Sequence, residues 1–171
     1  MKRLFVLLMT AVVLLMTGGC GYRIGTMGHP QIKTIAVAIV KNDTTIYNLS
    51  AIMRNVLVEQ FMQDGTLKVV SEKKADCILY ARIVESTLAE VTESSSSVDR
   101  SFEPEEWRSS VTAEYSVIIP GQKTPLIPLR KVTGSAHFQA PGDMDSAMRR
   151  GAAQACRKAA IEMVEFTTEA W

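Results

Sequence analysis

Residues 34–70 read TIAVAIVKNDTTIYNLSAIMRNVLVEQFMQDGTLKVV, and the change of period inside this stretch decides the fold. Thr34 to Val40 is a short, β-branched apolar run bounded by polar residues, the pattern of a central strand buried on both faces. Lys41 to Tyr47 is a polar turn. From Asn48 the apolar positions become Leu49, Ile52, Met53, Val56, Leu57 and Phe61, the i, i+3, i+4 spacing of an amphipathic helix. Asn48 can cap its start, and Asp64-Gly65 stops it because glycine takes the left-handed conformation at little cost. Leu67 to Val70 resumes as a strand.

Downstream, alternation dominates. Between Asp76 and Val91, Cys77, Leu79, Ala81 and Ile83 face one way, while Ile78, Tyr80, Arg82 and Val84 face the other. Thr92 to Ser101 is Ser-rich and Phe102 to Arg108 carries Glu103, Pro104, Glu105 and Glu106, so this stretch reads as a long connection. Val111, Ala113, Tyr115, Val117 and Ile119 then mark a half-buried strand. After a loop with Pro120-Gly121, Pro125 and Pro128, a second strand carries Val132, Gly134, Ala136 and Phe138 on one face. Pro141-Gly142 breaks it, and Asp145 can cap a last helix whose face is Met148, Ala152, Ala155, Ala159, Met163 and Phe166. Its small residues, Gly151 among them, let it lie close against a sheet.

The layout predicts one α+β domain over residues 32–171, a two-layer sandwich with two α-helices on one face of a mostly antiparallel, mixed sheet of four to five strands. Two helices cover only one face. The other carries Thr112, Glu114, Ser116, Thr133, Ser135 and His137, which either meet a partner or simply meet solvent.

Upstream, Lys2 and Arg3 precede an apolar run from Leu4 to Met16, broken only by Thr10 and followed by Thr17-Gly18-Gly19-Cys20. The run is shorter than the roughly 20 residues of a bilayer span, so residues 1–19 read as a cleaved secretory leader. Small residues directly before a cysteine resemble the bacterial lipobox, although Thr17 stands where leucine is commonest. On that reading Cys20 takes a diacylglycerol and becomes the acylated first residue, anchored by outer-membrane lipid at ~0.8 kcal/mol per buried methylene; the alternative is a secreted protein with a leftover thiol. Residues 20–31, with Gly21, Gly25, Gly28 and Pro30, form a tether of at most about 35 Å, which keeps the domain near the membrane.

Charge and motifs exclude several functions. Lys and Arg number 19 against 18 Asp and Glu, and 17 remain without Lys2 and Arg3. No basic stripe is left to displace counterions, so nucleic-acid binding is not expected. His29 and His137 are the only histidines, too few for a histidine-rich metal centre. No G-x-S-x-G, H-E-x-x-H, Walker loop or paired C-x-x-C occurs, so the chain is read as no enzyme and as needing no cofactor. Glu103, Glu105 and Glu106 imitate a paired acid and base, yet they lack the burial that raises a carboxyl pKa. Cys77 and Cys156 are either bridged, as an oxidising periplasm allows, or two buried free thiols.

Ile35 to Val70 is similar to the lipopolysaccharide-assembly lipoprotein family, LptE, in which an opening strand, an Asn/Thr turn, a helix with a Leu-x-x-x-Leu/Phe face, Asp-Gly and a Lys-Val-Val-like strand follow in order. Gly19-Cys20-Gly21-Tyr22 looks like the family's mature start, and Ala75-Asp76 like its third-strand entrance. Two features depart: Ser50 and Ala51 stand where the first helix usually has a glutamate, and the last turn is unusually proline-rich. The resemblance implies a non-catalytic lipoprotein on the periplasmic face of the outer membrane, an address that Gly21 after the cysteine also favours. It further implies a place in or against the large β-barrel LptD, and delivery of lipopolysaccharide to the outer leaflet. A polar sheet face suits the polar, water-filled lumen of such a barrel. Related domains in lipoproteins that activate cell-wall synthases, and in secretion-channel subunits, keep other partners open. Lipopolysaccharide phosphates call for Arg or Lys. Arg100, Arg108, Lys123, Arg130 and Lys131, expected in or beside two loops at the tip of the long strands, are the candidates; the alternative is scattered solubilising charge, since the nearby glutamates repel phosphate.

Overall fold

The computed structural model describes residues 32–91, 106–139 and 142–169. Strands β1 (Thr34–Val37) and β2 (Lys41–Asn42) precede helix α1 (Leu49–Asp64) and strand β3 (Lys68–Val69). A 3-10 turn at Glu72–Lys74 leads into β4 (Cys77–Val91), β5 (Glu106–Ile118), β6 (Ile127–Gln139) and helix α2 (Met144–Glu169). The helices pack on one face of a mixed sheet in the order β3-β1-β4-β5-β6, with β2 also paired to β4. This is the α+β two-layer arrangement that the patterning predicts, with a sixth strand because Lys41–Asn42, read as the start of a turn, pairs with β4 as β2.

Ile35 and Val37 project toward the helices, where they meet Leu49, Met53, Leu57 and Phe61 of α1 and Leu79 and Ile83 of β4 in one buried core. Ala36 and Ala38 are buried with Ile78 in a separate small cluster. Each large apolar side chain fully buried this way contributes about 1.5–3 kcal/mol. The apolar run stops short as a strand at Val37. Ala38 N–H still donates to Leu79 O at 3.0 Å, but Ile39 turns out and is 82% exposed. The central strand is therefore β4, which pairs in parallel with β1 and β2 and antiparallel with β5.

Two caps differ from expectation. Asn48 adopts a left-handed conformation, φ 65°, and its side chain makes no capping bond; asparagine tolerates this geometry better than most residues. The turn before it is held instead by Asn42, whose Nδ2 donates to Ile46 O at 2.9 Å and whose Oδ1 accepts from Thr44 N–H at 3.1 Å. At α2 the capping carboxylate is Asp143 rather than Asp145. Its oxygens accept from Asp145 N–H at 3.1 Å and from the Ser146 hydroxyl. Gly65 ends α1 as expected, with φ 71° and its N–H on Phe61 O at 3.1 Å.

Helix α2 has 26 residues, about 39 Å, and runs back along β6, whose 13 residues span about 43 Å. The contact is very close at Gly134. Cys77 of β4 and Cys156 of α2 are free thiols in the core, and burial pushes both pKa values up to about 12. The start of β1 is clasped to β4: Asp76 Oδ2 accepts from Lys33 N–H at 3.0 Å, Thr34 N–H at 2.9 Å and the Thr34 hydroxyl at 2.7 Å. Those bonds, the Lys33 amide foremost and then the Thr34 hydroxyl, hold the Asp76 carboxyl below its ordinary value.

Candidate partner-binding face

The helices leave one sheet face open, and the strand period decides what stands on it. On β5, Val111, Ala113, Tyr115 and Val117 point to the helices, so Ser110, Thr112, Glu114 and Ser116 point away. Antiparallel register sets Thr112 opposite Thr133, Ser110 opposite Ser135 and Glu114 opposite Lys131. Facing hydroxyls bond across the strands: Thr112 Oγ1 to Thr133 Oγ1 at 3.0 Å, and Ser110 Oγ to Ser135 Oγ at 2.9 Å. Thr112 is itself buried, a rung beneath its neighbours, whereas Thr133, Ser135 and His137 are exposed; Glu114 and Ser116 are half-buried.

Beyond the hydroxyls the ladder becomes charged. The Arg108 Nε–H donates to His137 Nε2 at 2.9 Å, and His137 Nδ1 lies 2.9 Å from Glu106 Oε1. His137 thus bridges the Arg108 guanidinium and the Glu106 carboxylate across the strands. Glu106 and Arg108 were expected in the connection, but β5 already begins at Glu106, where Val91 and Gln139 flank it on both sides. The alternation of Glu106 and Arg108 with Trp107 and Ser109 is the signal that places them on a strand.

The same face has an apolar half. Ile39, Tyr80 and Leu129, exposed by 82%, 43% and 69%, border a hollow of about 270 Å³ rimmed by Lys41, Arg82 and Glu114. Arg82 is ion-paired with Asp43. Sequence reading set Tyr80 on the face opposite Leu79 and Ala81 without saying which face is open, and it missed Ile39, counted within a buried run, and Leu129, whose position beside Pro128 signals an irregular edge. A larger cleft of about 540 Å³ lies between the starts of the two helices, lined by Ile46, Tyr47, Ile52, Met148 and Arg149.

The candidate phosphate contacts do not share one end of the molecule. Antiparallel strands put the β4–β5 and β5–β6 connections at opposite ends of the sheet, so Arg108 and Lys123 are far apart. Arg108 and the position paired with Lys131 are six residues apart along β5, about 20 Å. Arg130 and Lys131, as neighbours on β6, point to opposite faces, and the Arg130 guanidinium lies 3.4 Å from the centre of the Phe166 ring of α2. Arg100, Glu103 and Glu105 lie outside the described residues, as do Cys20, the leader and the tether. Among the described residues no cluster of His, Cys, Asp and Glu suits a metal ion, and no helix is long and apolar enough to cross a membrane.

Two helices on one face of a mixed sheet, with the other face uncovered by any described residue outside the sheet and its turns, define a class of sheet-presenting α+β domain. Within that class the chain belongs to the LptE family of lipopolysaccharide-assembly proteins, whose model matches residues 32–165. The family serves lipopolysaccharide assembly, and the structures similar to this chain include lipoproteins. No curated protein sequence matches the chain. Solved structures share its fold at low identity. A protein from Xanthomonas campestris is similar with 12% identity and a TM-score of 0.55, over 84% of this chain and 90% of that one. A minor lipoprotein from Acinetobacter baumannii has 9% identity and a TM-score of 0.51, over 80% and 93%. A Chlamydia trachomatis protein has 11% identity and a TM-score of 0.51, over 80% and 98%.

Proposed function

We propose that this chain is an outer-membrane lipoprotein, acylated at Cys20, that binds the β-barrel LptD through the open face of its sheet and helps deliver lipopolysaccharide to the outer leaflet. The observation that carries the reading is the cross-strand ladder of hydroxyls and charges on a sheet face that neither described helix covers, in a member of the LptE family. The lumen of a large outer-membrane barrel is polar, and a protein seated there has to match its hydrogen-bonding groups. Of the cations proposed for lipopolysaccharide, Arg108 bonds to His137 and Arg130 lies on the Phe166 ring, which leaves Lys123 and Lys131, neither in an ion pair among the described residues, for phosphate.

The test places a photocrosslinking amino acid at Thr133 or Ser135 of the full-length protein in intact envelopes. The expected adduct contains a β-barrel that changes mobility between unheated and boiled samples. Adducts with a cell-wall synthase or a secretion channel, or no protein adduct at all, overturn the reading. Metabolic labelling with palmitate, abolished by Cys20→Ala, tests the anchor separately.

A further inference from the structure

Half of the large apolar side chains that stand exposed among the described residues, Ile39, Tyr80 and Leu129, meet around one hollow on the open face. They come from three places in the chain. Ile39 is turned out by the break after β1, Tyr80 lies on β4, and Leu129 lies on β6 where the register with β5 shifts near Ser116. Apolar surface gathered this way on an otherwise polar face is the mark of a contact site.

Size and charge indicate the occupant. At about 270 Å³ the hollow is shallower and smaller than the roughly 300–1,000 Å³ pockets that enclose small ligands. Its rim carries both signs: Arg82 is tied to Asp43, and neither Lys41 nor Glu114 makes an ion pair among the described residues, Glu114 standing in register between Arg82 and Lys131. A phosphorylated headgroup answers only the bases and leaves Glu114 opposed, whereas a polypeptide supplies both charges. An apolar centre within a polar rim is the anatomy of a protein–protein anchor point. We infer that the hollow receives one aromatic or branched apolar side chain of a protein partner, flanked by an acid that meets Lys41 and a base that meets Glu114. The inference rests on the reading that a protein covers the open face, and it names where on that face the binding energy is concentrated.

The experiment uses the full-length protein in envelopes. Combining Ile39→Ser with Leu129→Ser is expected to leave the thermal midpoint unchanged, since both side chains are exposed, and to lower the yield of co-purified partner about tenfold or more. Tyr47→Ser, at a 93% exposed position beside the other cleft, is expected to leave the yield unchanged. An unchanged yield in the double variant overturns the inference. A photocrosslinker at Leu129 is expected to give a protein adduct; a lipid adduct alone, or no adduct while Thr133 still captures protein, also overturns it and leaves the proposed function standing. Failure of both positions to capture protein overturns the two together.

Discussion

A methyl group on Gly134 would stand 2.1 Å from the carbonyl oxygen of Ala155 and 2.4 Å from the backbone nitrogen of Ala159. Both obstacles are helix backbone, which cannot swing aside as a side chain does. Gly134→Ala is therefore expected to push α2 off β6 and to cost about 1–3 kcal/mol, measured by chemical denaturation. Gly151→Ala meets only the Phe138 ring, at 2.5 Å, and is expected to cost less because that half-buried ring can shift.

Asp76 sets an acid limit on stability. Its carboxyl is held below the ordinary value of 3.8 by the Lys33 amide and the Thr34 hydroxyl. A lowered folded value means that the bonds favour the charged form, so their contribution is full above 3.8 and is lost as pH falls through the lowered value. Asp76→Asn is expected to lower the thermal midpoint at pH 7 and to flatten its decline between pH 5 and pH 2. An unaltered acid limb in the variant would show that the clasp does not link protonation to folding.

The two core thiols are expected to resist alkylation in the folded protein at neutral pH, because burial both excludes reagent and suppresses the thiolate. After denaturation without reductant, mass spectrometry should find label on Cys77 and Cys156. Label that appears only after reduction would mean that they are bridged.

Arg130 is occupied in a structural contact. Replacing it with alanine removes the cation from Phe166 and is expected to cost about 0.5–1 kcal/mol in denaturation experiments. Binding of purified lipopolysaccharide should be little changed by Arg130→Ala and weakened by Lys123→Glu with Lys131→Glu. Unchanged affinity in the double charge reversal would remove these lysines from the site.

The fold was legible wherever a periodic pattern matched the environment along its whole length. The Leu49 to Phe61 stripe, the Asp64-Gly65 stop and the small-residue face of α2 all depend on local spacing, and the structure has them where the sequence does. Neighbours are what the spacing omits. Ile39 belongs to an unbroken apolar run, yet β1 ends before it and leaves it without a partner. Beyond Ile83 the alternation of β4 changes face because the register shifts between Ile83 and Glu85, which no local pattern announces. The hydroxyl part of the polar face, Thr112, Ser116, Thr133 and Ser135, could be drawn up in advance from period two alone, but its charged end at Glu106 and Arg108 could not, because β5 begins earlier than the connection suggests. The apolar end of that face required knowing that three distant segments meet, and the spread of the candidate cations required knowing that successive hairpin connections lie at opposite ends.

The clasp at Asp76 has a mechanical consequence. The chain passes from Ile32 straight into β1, which lies between the parallel strands β3 and β4. A pull applied along that strand would load the bonds on its two flanks side by side, in shear, instead of peeling them open singly.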